Sequence, residues 1–269
     1  MSVTVYFVRH GERLDHIDPD FMNTSPTPYD PPLTDFGIMQ AKRTGSYIKH
    51  AQSERTAGNN LPTEYVVYTS PFLRTIQSAL SIAEEIDNGT IVRLEPAISE
   101  WHGNTYFNQA VPDSLINTGI ERIQQMTATS SSSYSVDWSY VPVLSTLAKF
   151  PESLQQVIDR CKKALNGITQ PYITAYQNST SPKNVVLIIV THGWCVNVLL
   201  EACSRSALWI NVSYCAISRA TWIPGEREEV VPGTRKVRIV IEEDEDLSKN
   251  TGRWEVDLVS SDEHLKGLL

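Results

Sequence analysis

The segment YFVRHGERLDH, residues 6–16, carries two arginines, two histidines and two carboxylates directly after a short apolar run. Guanidinium groups match the oxygens of a phosphoryl group in a two-pronged geometry and neutralise its charge. A neutral imidazole can attack phosphorus, and its other ring nitrogen can donate to a backbone carbonyl that fixes the reactive tautomer. These residue types therefore indicate phosphate-ester chemistry, with Arg9 as an anion-binding group and His10 as the candidate nucleophile.

Three more apolar runs end in polar residues of the same kind. EYVVYTS (64–70) is followed by Pro71 and Arg74, TIVRLEPAI (90–98) leads to Glu100, and NVVLIIVTH (184–192) ends at His192. In a parallel sheet, ligands bind beyond the carboxyl ends of the strands. We therefore expect Arg9, His10, Arg74, Glu100 and His192 to converge on one phosphate pocket, where Glu100 would protonate the leaving group.

The elements that must position these residues alternate along the chain. We predict buried strands at 3–8, 64–70, 90–100 and 184–192, and helices at 35–50, 71–86, 152–168 and 193–203. Thr34 has the side chain and position of a helix N-cap. Alternating strands and helices predict an α/β fold, a three-layer sandwich whose central, mainly parallel sheet is covered on both faces.

The remaining segments complete a single domain over residues 1–269. The Asp- and Pro-rich stretch 16–32 is predicted to be a long loop, and residues 103–150 are predicted to form an inserted, partly mobile lid or cap. Residues 213–224 and 234–244 indicate a hairpin or edge pair, and 252–265 a further edge strand. The acidic run at 242–246 is interpreted as a solvated turn.

Other interpretations of these residues remain open at this stage. Taken singly, His10 could be a satisfied core histidine, Arg74 a helix-surface residue, Glu100 a strand-end carboxylate and His192 part of a tight turn. A metal site is the alternative for the crowded residues His10, Glu12, Asp15, His16 and Asp18. Their spacing lacks an i, i+4 histidine pair, so we expect no metal and no cofactor, and a chelator should leave turnover unchanged. Walker, GxGxxG and GxSxG motifs are absent from the sequence.

Composition limits the partners and the compartment. A formal net charge of -8 argues against direct nucleic-acid binding, which needs a basic face. The apolar run at 185–190 is too short to span a bilayer, and the first residues lack the pattern of a secretory signal. The four cysteines form no CxxC pair and are expected to be reduced, buried thiols. We expect an intracellular protein of the cytoplasm, the nucleus or both.

The motifs FVRHGER (7–13), PLTDFGIMQA (32–41), TSPFLRTIQSA (69–79), EW (100–101) and VTHG (190–193) resemble those of the histidine phosphatase superfamily, which has the phosphoglycerate mutase-like fold. The resemblance runs over most of the chain. It implies that Arg9, His10, Arg74 and His192 form the phosphate pocket. It also implies that His10 is the residue that becomes phosphorylated and that Glu100 is the proton donor.

Within the superfamily, Glu12-Arg13 and the following LDHIDPDF (14–21) depart from the phosphoglycerate mutases. They look like the branch that contains the suppressor of T-cell receptor signalling phosphatases and the phosphatase-like subunit of the fungal transcription factor TFIIIC. That resemblance implies that Arg13 adds a cation to the pocket. It implies a metal-independent phosphatase acting on a phosphoprotein, including one with phosphotyrosine, or on a small phosphate ester. The alternative is a weakly catalytic or non-catalytic assembly module, and either could form a homodimer or join a protein complex.

Overall fold

One mixed β-sheet lies at the centre of the computed structural model, which describes residues 1–86, 89–105, 107–128, 133–178, 182–206, 209–225 and 252–268. Its strands in those ranges are β1 (Ser2–Arg9), β2 (Thr63–Thr69), β3 (Thr90–Leu94), β4 (Tyr134–Val136), β5 (Asn184–Thr191), β6 (Ile217–Pro224) and β7 (Gly252–Ser261). The order across the sheet is β4-β3-β2-β5-β1-β6-β7. All pairings among β1 to β5 are parallel, and both pairings of β6, with β1 and with β7, are antiparallel. The predicted α/β class with a mainly parallel sheet is confirmed.

Helices cover both faces of this sheet. They are α1 (Phe21–Thr24), α2 (Asp35–Thr56), α3 (Leu73–Ile86), α4 (Leu115–Thr127), α5 (Leu154–Asn178) and α6 (Gly193–Ser204). Short 3-10 turns occupy Leu14–His16, Pro96–Ile98 and Glu263–Leu265. One apolar cluster packs the sheet against α5 and α6, and a second packs its other face against α2 and α3.

The two central strands explain why the sheet lies between two cores. All eight residues of β5 are buried, and so are the six middle residues of β1. Side chains alternate between faces along a strand. Val5 and Phe7 accordingly contact the α5 and α6 side, whereas Tyr6 and Val8 contact the α2 and α3 side. A continuous apolar run is what a strand buried on both faces requires.

Several element boundaries differ from those expected from the sequence. Thr34 is the N-cap of α2, since its Oγ1 accepts a hydrogen bond of 2.9 Å from the Gly37 amide, but the helix continues to Thr56 rather than residue 50. Its extra turns are supported by burial of Ala51 and Gln52. The third strand ends at Leu94, because Pro96 starts a 3-10 turn and cannot donate to a sheet ladder.

The segment predicted to be a lid contains regular structure. Residues 103–150 include α4, whose Ile123 is buried in the core, and β4, which pairs parallel with β3. The end of this segment therefore belongs to the central sheet, and a lid or cap role stays a prediction. The middle of the serine tract (129–132), the expected strand at 234–244 and the acidic run at 242–246 lie outside the described residues.

The C-terminal strands extend the sheet beyond β1. β6 pairs with β1 on one side and β7 on the other, so β6 is internal to the sheet. Among the residues described, β7 is the edge strand on this side and β4 on the opposite side. The four cysteines are free and buried, as expected. In the part of the chain described, no helix has the length and apolar character needed to cross a membrane.

Candidate active site

The predicted site residues meet at the carboxyl edge of the parallel strands. Arg9 is the last residue of β1 and His10 follows it, while His192 follows β5 and is the N-cap of α6. Arg74 lies in the first turn of α3 after β2. Glu100 lies beyond the 3-10 turn that follows β3. Because β1, β5 and β2 are neighbours in the sheet, their ends deliver these side chains to one place.

Two buried imidazoles form the centre of this cluster. The ring centroids of His10 and His192 are 5.4 Å apart with an interplanar angle of 64°. Their residues are 1% and 0% exposed, respectively. Neither histidine is therefore confined to its own turn, since the two rings contact each other in the interior.

His10 is held in a single tautomer by its own turn. Its Nδ1 lies 2.8 Å from the carbonyl oxygen of Gly11, and a carbonyl can only accept, so Nδ1 carries the proton. Burial, with the positive charges of Arg74 and Arg9, lowers the pKa of His10 well below its ordinary value. At neutral pH this ring is consequently uncharged and Nε2 has a free lone pair.

The hydrogen bonds of His192 assign the opposite tautomer. Its Nε2 is 3.0 Å from the hydroxyl of Ser70, and Arg74 Nη2 donates to its Nδ1 over 3.3 Å. Burial, with Arg74 and His10 nearby, lowers the pKa of His192 well below its ordinary value. The ring is therefore neutral with its proton on Nε2. The 3.4 Å separation of Glu100 Oε2 from Nδ1 is then a close contact rather than an ion pair.

Glu100 is placed against the cationic side of the pocket. Its Oε2 is 3.8 Å from Arg74 Nη2, and its Oε1 accepts a hydrogen bond of 3.0 Å from the amide of Trp101. The Glu100 side chain is 10% exposed. The carboxyl group is thus close to His192 and partly open to solvent.

Several buried guanidinium donors in the cluster lack a protein partner. Arg9 Nε, Arg74 Nε and Arg74 Nη1 make no hydrogen bond with the described residues. Burial lowers the pKa of both arginines, that of Arg74 to about 10, so both are cationic at neutral pH. An unsatisfied buried donor costs about 1–3 kcal/mol, and more when charged. A bound anion would satisfy these donors.

Arg9 is itself held by the chain before β6. Its Nη1 donates to the carbonyl of Val212 over 2.6 Å, and its guanidinium lies 4.1 Å from the ring centroid of Tyr214. The same tyrosine ring is 5.7 Å from that of His10. Tyr214 therefore forms an aromatic wall beside the arginine and the histidine.

Arg13, expected as a further cation, is paired with a carboxylate. Its Nε donates to Asp15 Oδ1 over 2.9 Å, and its Nη2 makes a second contact with the same group. Burial lowers the pKa of Arg13, but the hydrogen bond to Asp15 outweighs this effect and raises it. Its charge still contributes to lowering the pKa of Arg74. Arg13 thus acts on the pocket with part of its charge compensated.

Asp30 and Phe72, which support the cluster, were missed from the sequence, as was Tyr214. Asp30, a buried residue of the Pro-rich loop, accepts from the amide of Leu73 over 2.8 Å, pairs with Arg122 and lies 3.8 Å from Arg74 Nη1. Phe72 contacts His192 with a centroid distance of 5.2 Å. Phe72 could have been suspected from its place between Ser70 and Arg74, but nothing local distinguishes Asp30 from its acidic neighbours.

The carboxylates and histidines of the alternative metal site do not come together. Asp15 binds Arg13, Glu12 accepts from the hydroxyl of Thr34 over 2.9 Å, and His16 contacts the hydroxyl of Tyr214 over 2.6 Å. In the residues described, no group of three or more His, Cys, Asp or Glu side chains could hold a metal ion. The arrangement fits an anion rather than a cation.

A cavity of about 330 Å³ lies away from this cluster, near the amino ends of β2 and β5. Glu64, Lys183, Tyr172 and Arg93 line it. There Arg93 donates to the Tyr172 hydroxyl over 2.7 Å and to Asp137 over 2.9 Å. Its charge is therefore compensated within the protein, and the cluster around His10 remains the stronger candidate for an anion site.

The comparisons with known proteins agree with this architecture. A sequence model of the histidine phosphatase superfamily (branch 1) matches residues 5–233, so the chain belongs to that superfamily. The predicted family is confirmed at this level. No curated protein sequence matches the chain.

Three solved structures illustrate the shared fold. An ecdysone phosphate phosphatase from Bombyx mori, in complex with tungstate, is 16% identical with a TM-score of 0.57, and the match covers 87% of this chain and 96% of that one. A Bacillus anthracis phosphoglycerate mutase is 15% identical with a TM-score of 0.54, over 98% and 95%. A mycobacterial glucosyl-3-phosphoglycerate phosphatase is 16% identical with a TM-score of 0.52, over 96% and 98%. The phosphoglycerate mutase-like fold is thereby shown.

Proposed function

We propose that the protein is a metal-independent phosphomonoester hydrolase that works through a phosphohistidine on His10. The observation that carries the proposal is the set of unpaired, buried guanidinium donors of Arg9 and Arg74 beside a neutral imidazole. Membership of a superfamily of phosphatases supports activity of this general type. An assembly module would have no need for buried guanidinium N–H groups that lack a hydrogen-bond acceptor, since such groups cost stability.

In the first step, the substrate phosphoryl group binds with its oxygens facing the free donors of Arg9 and Arg74. Nε2 of His10 forms a bond to phosphorus while the bond from phosphorus to the ester oxygen breaks. His192, whose Nδ1 faces Arg74 and Glu100, binds a proton from solvent more readily once the dianion is present, because the negative charge stabilises the imidazolium. This shift makes it a further donor to the phosphoryl oxygens.

Glu100 donates a proton in the first step and accepts one in the second. As a carboxylic acid it gives its proton to the departing oxygen, which leaves as an alcohol or phenol. As a carboxylate it then takes a proton from water, whose oxygen attacks the phosphohistidine. The bond between Nε2 and phosphorus breaks, inorganic phosphate leaves, and His10 returns to its neutral state.

The substrate we propose is a phosphoprotein, including one with phosphotyrosine, or a small phosphate ester. Tyr214 and His16, whose rings are 5.6 Å apart, offer the leaving group an aromatic surface next to His10. The resemblance of residues 12–21 to the branch of suppressor of T-cell receptor signalling phosphatases supports the same choice. We propose that the protein acts in the cytoplasm, the nucleus or both.

The proposal is tested by comparing His10→Ala with the wild type on p-nitrophenyl phosphate. Removal of the nucleophile should lower kcat/KM by about a thousandfold or more, because the covalent route is lost. His50→Ala is the matched control, since that histidine is exposed on α2, and it should keep wild-type activity. Equal rates for the wild type and a folded His10→Ala protein would refute the proposal.

A further inference from the structure

A buried ion pair outside the phosphate pocket links α5 to the segment that carries Glu100. Arg160 Nε donates to Glu152 Oε1 over 2.7 Å, and Arg160 Nη2 donates to Glu152 Oε2 over 2.9 Å. Arg160 is 7% exposed and Glu152 4%. Neither residue belongs to the phosphate-binding cluster. A buried salt bridge is weak evidence for a role in stability, since its desolvation cost can exceed its attraction.

The guanidinium of Arg160 uses its other donors on the main chain around Glu100. Nη1 donates to the carbonyls of Ala97 and Ser99, each over 2.9 Å, and Nη2 donates to the carbonyl of Glu100 over 3.2 Å. Together with the two bonds to Glu152, these contacts employ all the N–H groups that an arginine has. A lysine could not reproduce this planar, five-donor arrangement.

Glu152 holds the other side of the same segment. Its Oε2 accepts from the amide of His102 over 3.0 Å, and its own amide donates to the His102 carbonyl over 2.9 Å. Its carbonyl accepts from the indole Nε1 of Trp101 over 2.9 Å. The main chain is therefore fixed immediately before and immediately after Glu100.

We propose that the Arg160–Glu152 pair is a positioning device that sets the Glu100 carboxyl group against Arg74 and His192, and so controls proton delivery to the leaving group. The inference rests on the proposed function of Glu100. The 3.4 Å and 3.8 Å separations of Glu100 Oε2 from those two side chains depend on where the main chain of residues 97–102 lies. Arg160 and Glu152 are the charged residues that hold this main chain on both sides of Glu100, and they act through Glu100 without touching the substrate.

If the pair positions Glu100, loss of the pair should lower kcat/KM most for substrates whose leaving group needs a proton. p-Nitrophenolate is a stable anion and departs with little help from an acid, whereas phenolate, with a pKa of about 10 like that of tyrosine, gains much more from a proton. Phenyl phosphate and p-nitrophenyl phosphate have similar shapes, so the ratio of their kcat/KM values reports proton delivery rather than fit. A displaced Glu100 should lower that ratio.

The experiment measures both substrates with the wild type, Glu100→Gln, Arg160→Lys and Glu152→Gln. Glu100→Gln should lower the ratio of kcat/KM for phenyl phosphate to kcat/KM for p-nitrophenyl phosphate by about tenfold or more. Arg160→Lys and Glu152→Gln should each lower it by about threefold to tenfold, as expected for misplacement of the donor. Lys162→Met is the matched control, since Lys162 is exposed on the same helix, and it should leave the ratio unchanged.

Each outcome separates the two proposals. If Glu100→Gln lowers the ratio but folded Arg160→Lys and Glu152→Gln proteins keep the wild-type ratio, the positioning role is refuted and the role of Glu100 stands. If Glu100→Gln itself leaves the ratio unchanged, Glu100 is not the proton donor, and the positioning role is refuted with it. Should Arg160→Lys fail to fold, Glu152→Gln alone decides, because it retains volume and one acceptor oxygen.

Discussion

His10 and His192 are both neutral, but different contacts hold their protons. The carbonyl of Gly11 keeps the proton of His10 on Nδ1, which leaves Nε2 free for a bond to phosphorus. Ser70 and Arg74 keep the proton of His192 on Nε2. Burial next to cations makes a protonated imidazole unfavourable in both cases. Before substrate binds, His10 therefore already has the neutral ring and the free Nε2 lone pair that nucleophilic attack requires.

We predict that His10 stays neutral at pH values well below 6.5. A lowered pKa means that the ring takes up a proton only in more acidic solution, so the proposed nucleophile remains available as the pH falls. NMR of protein labelled with ¹⁵N-histidine should show an Nδ1–H tautomer that does not titrate near 6.5, assigned by its loss in His10→Ala.

The urea-unfolded protein is the control for this titration, since its histidines should titrate together near about 6.5. A His10 midpoint at that same value in the folded protein would contradict the account. It would mean that burial and the two arginines do not set the state of the nucleophile.

At the scale of elements, the turn after β1 is held by the start of α2. A Cβ atom on Gly11 would lie 2.4 Å from the carbonyl oxygen of Gly37, and a Cβ on Gly37 would lie 2.4 Å from the carbonyl oxygen of Glu12. The amide of Thr34 donates to Glu12 over 3.0 Å. The two backbones thus approach more closely than any side chain allows, and His10 directly precedes Gly11 in this contact.

We predict that Gly37→Ala destabilises the protein by about 1–3 kcal/mol, as overpacking against backbone does. Urea unfolding measures the change. Helix propensity alone would make the substitution stabilising by up to about 1 kcal/mol, so the sign of the change is decisive.

Gly58→Ala is the matched control, because nothing lies within 4 Å of a Cβ atom at that position. We expect its effect on the free energy of unfolding to stay within about 0.5 kcal/mol. A Gly37→Ala protein as stable as Gly58→Ala would show that the close approach does not constrain the turn of His10.

The sequence predicted the bounds of a strand or helix only where the residues within it determine those bounds. β1 and β5 were recognisable because a strand buried on both faces must be apolar throughout. The end of β3 was misjudged because Glu95 caps the turn at Pro96, with its side chain accepting from the amide of Ala97. Helix α5 continues through Pro171 to Asn178, beyond the predicted end at residue 168. Burial of Thr169 and Ile173 against the core supports that extension.

At the scale of the whole molecule, the order of strands in the sheet brings residues that are far apart in sequence into one cluster. β5 lies between β1 and β2, so the turns that carry His10, His192 and Ser70 are adjacent although the chain separates them widely. The pairing of Arg9 with Thr191 sets the register that brings the two histidines level. The cores on both faces hold the three strands in place, and the pocket is formed where they end.

The convergence of the five expected site residues was predictable, because their types mark the ends of apolar runs and match known motifs. Their supporting residues were not. Asp30, Tyr214, Arg160 and Glu152 act through partners far away in sequence, and their own neighbours carry no signal of that role. Tertiary contacts of this kind become visible only once the topology is known.

The most direct test of the account is to trap the phosphorylated enzyme during turnover. Wild-type protein mixed with p-nitrophenyl phosphate and denatured rapidly in alkali, in which phosphohistidine survives, should gain the mass of one phosphoryl group located by peptide analysis on His10. His10→Ala should gain none. Wild-type protein that turns over substrate without such an adduct, or that carries the phosphoryl group on another residue, would contradict the central claim.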